Sequence, residues 1–173
     1  GSDSIFYIFT THSMKMNNDD PRTIYGFEYN EVSMSRNGGL GAVTRKNIVL
    51  IPPPTEFSSK LTAVKSSNGI DYWVVTHKFN SNEFCSFKVT SSGVDSANYV
   101  SSKVGSTHAA PGETNNGFGY MKISPDGTKL ALAIHGSAIY EIFNFDASNG
   151  NVSNAITSAP DFIEPYGIEF SPD

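Results

Sequence analysis

The chain has 173 residues, of which 38% are apolar and 12% aromatic, and a formal net charge of −5 from 17 acidic and 12 basic residues. This length suits one domain with a substantial core, and the composition excludes a disordered chain. The basic residues are scattered, which argues against a nucleic-acid-binding surface, and no apolar run approaches the roughly 18 residues of a membrane span.

Short apolar runs bounded by Gly, Asn, Asp, Ser and Pro predict many short strands and no long helix. The first predicted repeat covers residues 4–51 and lacks an opening strand. Its predicted strands are 5–10, 26–35 and 47–51.

The central part of the chain contains two copies of one strand–turn–strand unit. Residues 119–135 contain a Ser-Pro-Asp-Gly turn between two apolar runs, and residues 61–77 align with them without a gap at an offset of 58 residues. Pro fixes φ, Asp bonds the backbone beyond it and Gly tolerates positive φ, so each unit is predicted to be a hairpin. The second repeat (61–105) has predicted strands at 61–65, 72–77, 83–90 and 99–104. The third (118–158) has them at 119–123, 129–134, 138–146 and 155–157.

A further repeat opens at 166–173, where Ile-Glu-Phe-Ser-Pro-Asp repeats the Met-Lys-Ile-Ser-Pro-Asp of 121–126. Turn glycines recur at Gly39, Gly93 and Gly150, in phase with the hairpins. Four short strands in each repeat of roughly 45–60 residues are typical of a β-propeller. We therefore predict an all-β fold, a propeller fragment of about three four-stranded antiparallel blades.

The ordered set of motifs resembles one propeller group. The segments that carry the resemblance are 37–50, 60–65, 71–77, 120–131 and 166–173. They are similar to the WD-like, YVTN-type propeller regions of large Bacteroidetes surface or secreted proteins, often cargo of the type IX secretion system linked to gliding and adhesion. The resemblance implies an exported, surface-associated scaffold without assigned catalytic residues, and it supplies no ligand.

Candidate site residues are few. The four histidines show no spacing typical of a zinc site; they are His12, His77, His108 and His135. His77 and His135 end equivalent strands in neighbouring repeats, which predicts that both lie near one rim. With Lys78 and Asn80 they form a possible ligand rim, and a repeated structural contact is the favoured alternative.

Two other features have a structural interpretation. The acidic run 17–20 offers the oxygen ligands that calcium prefers but lacks the spacing of an EF-hand loop, so a solvated loop is predicted. Cys85 is the one cysteine, which excludes an intrachain disulfide, and its apolar strand predicts a buried, unreactive thiol.

From these features we predict a non-catalytic binding or scaffold module of an exported or cell-surface bacterial protein. It would present loops to a protein or glycan partner and use no cofactor or metal. The alternative is a lactonase-like propeller enzyme with a His and carboxylate site at the central opening. Three blades cannot close a ring, so we also predict a dimer in which the last strand of one chain completes the first blade of the other.

Overall fold

The computed structural model describes residues 4–11, 26–109 and 116–172. These residues form short strands and two 3-10 turns, at Asn37–Gly39 and His135–Ser137. The strands are β1 (Ile5–Thr11), β2 (Phe27–Ser33), β3 (Ala42–Ile51), β4 (Phe57–Lys65), β5 (Tyr72–Lys78), β6 (Glu83–Thr90), β7 (Gly93–Lys103), β8 (Met121–Ile123), β9 (Lys129–Ile134), β10 (Ile139–Asp146) and β11 (Asn151–Thr157).

The strands form three antiparallel meanders, which we name blades one, two and three. Their strand orders are β1-β2-β3, β4-β5-β6-β7 and β8-β9-β10-β11. The fold prediction is confirmed: the described chain is nearly all β, with three antiparallel sheets of three or four strands, as in a propeller fragment. No helix among the described residues is long and apolar enough to cross a membrane.

Several strands begin earlier than the sequence pattern indicated. β7 begins at Gly93 and β3 at Ala42, several residues before the predicted starts. Both strands carry mostly exposed, polar side chains at these positions. An outer strand pairs through its backbone with one neighbouring strand, and this pairing does not need apolar side chains. Such a strand can therefore extend into residues that show no alternation of apolar and polar side chains.

The register of the first hairpin is the same in blades two and three. Ala63 pairs with Val74, and Met121 pairs with Leu132, so both partners are displaced by the predicted 58 residues. The second hairpins differ, because pairing in blade two continues to His77 and Phe84 whereas in blade three it ends at Ile134 and Ile139. His77 therefore lies within a strand, and its sequence equivalent His135 begins a turn.

The sheets pack face to face, because alternate residues of each strand point to opposite faces. Blade three directs Leu130, Leu132 and Ile134 into the cluster that contains Trp73 and Phe84 of blade two. A second cluster joins blades one and two and includes Phe27, Tyr29, Phe57, Val74 and Phe87. The first strands β4 and β8 lie side by side, as do the last strands β7 and β11, which is the radial arrangement of propeller blades.

One turn of blade three fastens it to blade two. The carbonyl of Ala147 accepts hydrogen bonds from Trp73 Nε1 (2.9 Å), Ser66 Oγ (3.1 Å) and the Ser67 amide (2.9 Å). Gly150 lies at φ +80°, and a Cβ there would stand 2.8 Å from the Trp73 ring. The turn glycine is required here both by its conformation and by this close approach.

Residues 158–172 form no strand of their own in the structure. They return along β8, where the Tyr120 amide donates to the Tyr166 carbonyl (2.8 Å) and Lys122 pairs with Glu169 (2.9 Å). The segment thus lies beside the first strand of blade three. Its role as the first strand of a further blade stays a prediction.

We expect Gly150→Ala to destabilise the fold more than Gly69→Ala. Both glycines have positive φ, but a Cβ at Gly69 would meet nothing within 4 Å. Each variant loses roughly 1 kcal/mol because it places an alanine at positive φ. Overpacking against Trp73 adds about 1–3 kcal/mol at Gly150 alone. Urea unfolding of the two variants measures the difference, and equal losses would show that this turn is not held tightly against blade two.

Candidate functional site

The structure places the four residues of the predicted ligand rim in different surroundings. Lys78 pairs with Glu83 (Nζ to Oε1, 2.7 Å). Burial lowers the pKa of Lys78, but the hydrogen bond to Glu83 and the neighbouring charge raise it by more, so the pKa is raised overall. Asn80 is exposed in the β5–β6 turn. The ring of His135 lies edge-on to Tyr166, with ring centroids 6.4 Å apart, and the structure gives it no contact with His77.

His77 instead belongs to a buried polar cluster between blades two and three, which we call the Lys60 cluster. Its members are Lys60 on β4, His77 at the end of β5 and His108 in the connection from β7 to β8. All three side chains are fully buried. Because β5 ends where β4 begins, and the connection returns to the same end, the fold gathers residues that are 17 and 31 positions apart in the sequence.

The tautomer of His77 follows from its single hydrogen bond. Nδ1 lies 2.7 Å from the Lys78 carbonyl, which can only accept, so Nδ1 carries the proton. Nε2 then presents a bare lone pair, and it is buried without a partner among the described residues. Burial lowers the pKa of His77 to about 3, with a smaller contribution from the Lys60 charge and an opposing one from the hydrogen bond. His77 is therefore a neutral hydrogen-bond acceptor at physiological pH.

His108 stacks on His77, with ring centroids 3.7 Å apart and planes 23° from parallel. Its backbone is fixed to the β5–β6 turn, since its amide donates to the Ser81 carbonyl (2.8 Å) and its carbonyl accepts from the Asn80 amide (2.9 Å). Both ring nitrogens are buried without a partner in the described chain. Burial holds the pKa of His108 well below its usual range, assisted by His77 and Lys60.

Lys60 is anchored by two backbone carbonyls of the segment that leads into blade three. Its Nζ donates to Asn116 O (3.1 Å) and Phe118 O (2.8 Å). Burial lowers the pKa of Lys60 to about 7, against a smaller opposing effect of the Glu141 carboxylate. Ammonium and amine forms of this side chain are therefore both populated near neutral pH.

Glu141 supplies a buried carboxylate at the same blade interface. Its Oε1 accepts from the hydroxyls of Ser106 and Thr157, each at 2.8 Å, and from the Ser106 amide at 3.1 Å. Ser106 lies two residues from His108 on the β7–β8 connection. The carboxylate thus holds this connection against blade three.

The cluster joins an amine that titrates near neutrality, two neutral imidazoles and a carboxylate within electrostatic range of Lys60. Such a set can accept, hold and return a proton. It does not form a metal centre: in the ranges that the structure describes, no three His, Cys, Asp or Glu side chains converge as ligands. His12 and the acidic run 17–20 lie outside the described residues.

Sequence reasoning missed Lys60 as a site residue and gave His108 no role. The sequence signal that could have indicated Lys60 is its position directly before the apolar run of the first predicted strand of the second repeat. Cys85 is fully buried, as predicted, and burial raises the pKa of its thiol to about 12, which makes it unreactive at neutral pH.

No family model and no curated protein sequence matches this chain. Similar solved structures include the periplasmic gluconolactonase of Pseudomonas aeruginosa (17% identity, TM-score 0.49), which covers 81% of this chain and 35% of that one. A Lactobacillus plantarum protein (10%, TM-score 0.48) covers 88% and 37%. A Bacteroides fragilis protein assigned as a 6-phosphogluconolactonase (11%, TM-score 0.45) covers 89% and 36%. The chain spans little more than a third of each.

These comparisons contradict the prediction of a non-catalytic binding or scaffold module that is not an enzyme. Two of the three similar structures bear the names of lactonases, which agrees better with the enzyme alternative. The prediction rested on the lack of a catalytic constellation in the sequence. A cluster assembled from three separate segments, as the Lys60 cluster is, leaves no local motif in the sequence.

We expect the pH dependence of stability to report the buried Lys60. Its pKa is lower in the folded than in the unfolded chain, so between pH 7 and 10.5 the unfolded state holds more protons on Lys60, and the contribution of Lys60 to the free energy of unfolding rises with pH there. Lys60→Met should remove this rise, by up to ~1.4 kcal/mol per pH unit. Urea unfolding from pH 7 to pH 10 measures it, with Lys65→Met, at the exposed end of β4, as the control. Parallel curves for wild type and Lys60→Met would show that Lys60 is not held as described.

Proposed function

We propose that this chain contributes the proton-handling part of an esterase site that opens cyclic esters of the lactone class. The observation that carries the proposal is the buried Lys60 cluster, in which the His77 Nε2 lone pair has no partner among the described residues and the Lys60 amine, of lowered pKa, acts on His77 electrostatically. Three buried imidazole nitrogens without a hydrogen-bond partner among the described residues and a desolvated lysine cost folding free energy, and such groups concentrate where chemistry requires them.

Ester opening needs one proton to move twice. Water adds its oxygen to the acyl carbon, the bond from that carbon to the ring oxygen breaks, and the proton lost by water ends on the released alkoxide. In the proposed mechanism, His77 Nε2 accepts a hydrogen bond from the water and orients it. The amine form of Lys60 takes the proton and returns it to the alkoxide, a role suited to its pKa of about 7.

The substrate must reach a cluster that is fully buried in this structure. Residues 104–109 place Ser106 and His108 beside the cluster, and hydrogen bonds to Ser81, Asn80 and Glu141 hold Ser106 and His108 there. The proposal therefore requires residues 104–109 to move aside, as surface connections over active sites commonly do.

Export of the protein to the bacterial cell surface is the second part of the proposal. It is supported by the sequence resemblance to propeller regions of exported Bacteroidetes proteins. A surface-exposed esterase acting on sugar lactones would fit that setting.

The experiment is a pH-stat assay of acid release from glucono-1,5-lactone, corrected for spontaneous hydrolysis. We expect catalysed hydrolysis by the wild type that increases as Lys60 loses its proton through a pH of about 7. Lys60→Met should lower the rate by about 10²-fold or more, because general acid–base catalysis contributes roughly that much. His77→Gln should lower it as well, since a glutamine cannot orient the water in the same way.

Two matched variants separate chemistry from folding. Lys65→Met and His135→Gln change the same residue types outside the Lys60 cluster and should keep the wild-type rate. Circular dichroism verifies that all four variants are folded. A folded Lys60→Met that retains the rate, or a wild type that never exceeds spontaneous hydrolysis, would sink the proposal.

A further inference from the structure

The sequence contains four Asn-Gly pairs, and in such a pair the glycine amide can attack the asparagine carboxamide. The attack is easiest before glycine, because glycine has no Cβ to obstruct the approach. It needs a carboxamide and a glycine amide that are not held by hydrogen bonds, and a peptide that can rotate. The sequence does not rank the four pairs, whereas their hydrogen bonds do; the pairs are Asn37-Gly38, Asn68-Gly69, Asn116-Gly117 and Asn149-Gly150.

In the turn between β2 and β3, the Asn37 carboxamide and the Gly38 amide have no hydrogen-bond partner among the described residues. Asn37 is exposed and lies in the left-handed region (φ +54°), and Gly38 follows at φ +64°. A Cβ at Gly38 or Gly39 would meet nothing within 4 Å, so this part of the turn has space in which to rotate. Rotation of the peptide between Asn37 and Gly38 must break the hydrogen bond from the Leu40 amide to the Asn37 carbonyl (3.2 Å).

Asn68 is exposed as well, but both of its reacting groups are held. Its Oδ1 accepts from the amides of Ile70 (3.0 Å) and Asp71 (2.9 Å), and its Nδ2 donates to Asp71 Oδ2 (2.8 Å). The Gly69 amide donates to the Ser66 carbonyl (2.9 Å). Attack here requires several hydrogen bonds to open together.

Asn149 is held in the same way in the turn between β10 and β11. Its Nδ2 donates to Asp146 Oδ2 (2.8 Å), and its Oδ1 accepts from the Asn151 amide (2.9 Å). The Gly150 amide donates to the Asp146 carbonyl (2.7 Å). Exposure of the asparagine therefore does not distinguish these pairs, whereas hydrogen bonding does.

Asn116 is protected by burial and by the contacts of its peptide. Its Oδ1 accepts from Ser137 Oγ (3.1 Å), and its carbonyl accepts from Lys60 Nζ (3.1 Å). The Gly117 carbonyl accepts from the amide and the hydroxyl of Ser59, each at 3.0 Å. Rotation of this peptide would break contacts that join blade two to the segment before β8.

We propose that Asn37 is a site of covalent modification, at which the chain forms an isoaspartyl linkage without an enzyme. The Gly38 nitrogen attacks Asn37 Cγ, a bond from nitrogen to Cγ forms, and Nδ2 leaves as ammonia with the proton of the Gly38 amide. Water then adds to one carbonyl of the five-membered imide and breaks its bond to the nitrogen. Opening at the α-carbonyl gives isoaspartate, whose main chain runs through Cβ and Cγ, and opening at the other carbonyl gives aspartate.

The modification changes blade one at the turn beyond the Ser33 and Ala42 pair, with which the pairing of β2 and β3 ends. It adds one carboxylate, which takes the formal net charge from −5 to −6, and the isoaspartyl form lengthens the main chain by one carbon. An isoaspartyl carboxylate is a substrate for enzymes that methylate such groups in proteins. Asn37 is then the position of this chain on which an enzyme of that class would act.

Ageing of the folded chain at mildly alkaline pH tests the assignment. A protease that cleaves after Glu at acidic pH places the four pairs in four different peptides, in which mass spectrometry measures deamidation. We expect Asn37 to react at least about tenfold faster than the other three asparagines, because each hydrogen bond that must open lowers the population of reactive geometry. In concentrated urea the four rates should become similar, since each asparagine then precedes an unrestrained glycine.

Methylation by an isoaspartyl methyltransferase gives a second readout. Asn37→Gln should abolish most methyl acceptance by the aged chain, because glutamine would have to close a six-membered ring, whereas Asn68→Gln should leave methyl acceptance unchanged. Equal rates at the four pairs in the folded chain, faster reaction at Asn68 or Asn149, or full methyl acceptance by Asn37→Gln would each overturn the proposal. Neither readout depends on esterase activity, so this proposal and the proposed function can fail separately.

Discussion

Face-to-face packing of successive sheets is the constraint on which the rest of the structure depends. A sheet with apolar residues on both faces must pack against another sheet on each side. Each blade therefore packs one face on the blade before it and the other face on the blade after it. Fully buried residues such as Phe84 and Leu132 occupy one junction, and Phe27 and Phe87 occupy the other. Truncating any of these to Ala removes roughly 3–5 kcal/mol, a large part of the stability of a small domain.

The Lys60 cluster is an exception to this apolar packing. A lysine amine and two imidazoles, of whose four ring nitrogens three have no hydrogen-bond partner among the described residues, are placed at a junction that apolar side chains fill elsewhere. Apolar replacements of similar volume would pack there at lower free-energy cost. This free-energy cost is the physical argument behind the proposed proton-handling role. Its anchors bind Lys60 to carbonyls of the segment before β8, and bind Ser106 of the β7–β8 connection to the Glu141 carboxylate of blade three.

Local signals predicted the hairpins well. The turn around Asp126 and Gly127 and the register of Ala63 with Val74 follow from turn chemistry and a gapless repeat. The outer strands β3 and β7 were predicted too short, because their pairing is carried by backbone rather than by apolar side chains. His77 and His135 share a place in the repeat but not in space, since four additional residues lengthen the second hairpin of blade two.

The site was harder to predict because it is non-local. Lys60 was visible only as a charged residue before a strand, and its burial depends on the position of blade three. His108 lies in a connection whose sequence has no hydrophobic periodicity, so the sequence does not predict which way its side chain points or how deeply it is buried. What each histidine does is decided by its neighbours: a backbone carbonyl fixes the proton of His77, whereas His135 rests beside an exposed tyrosine.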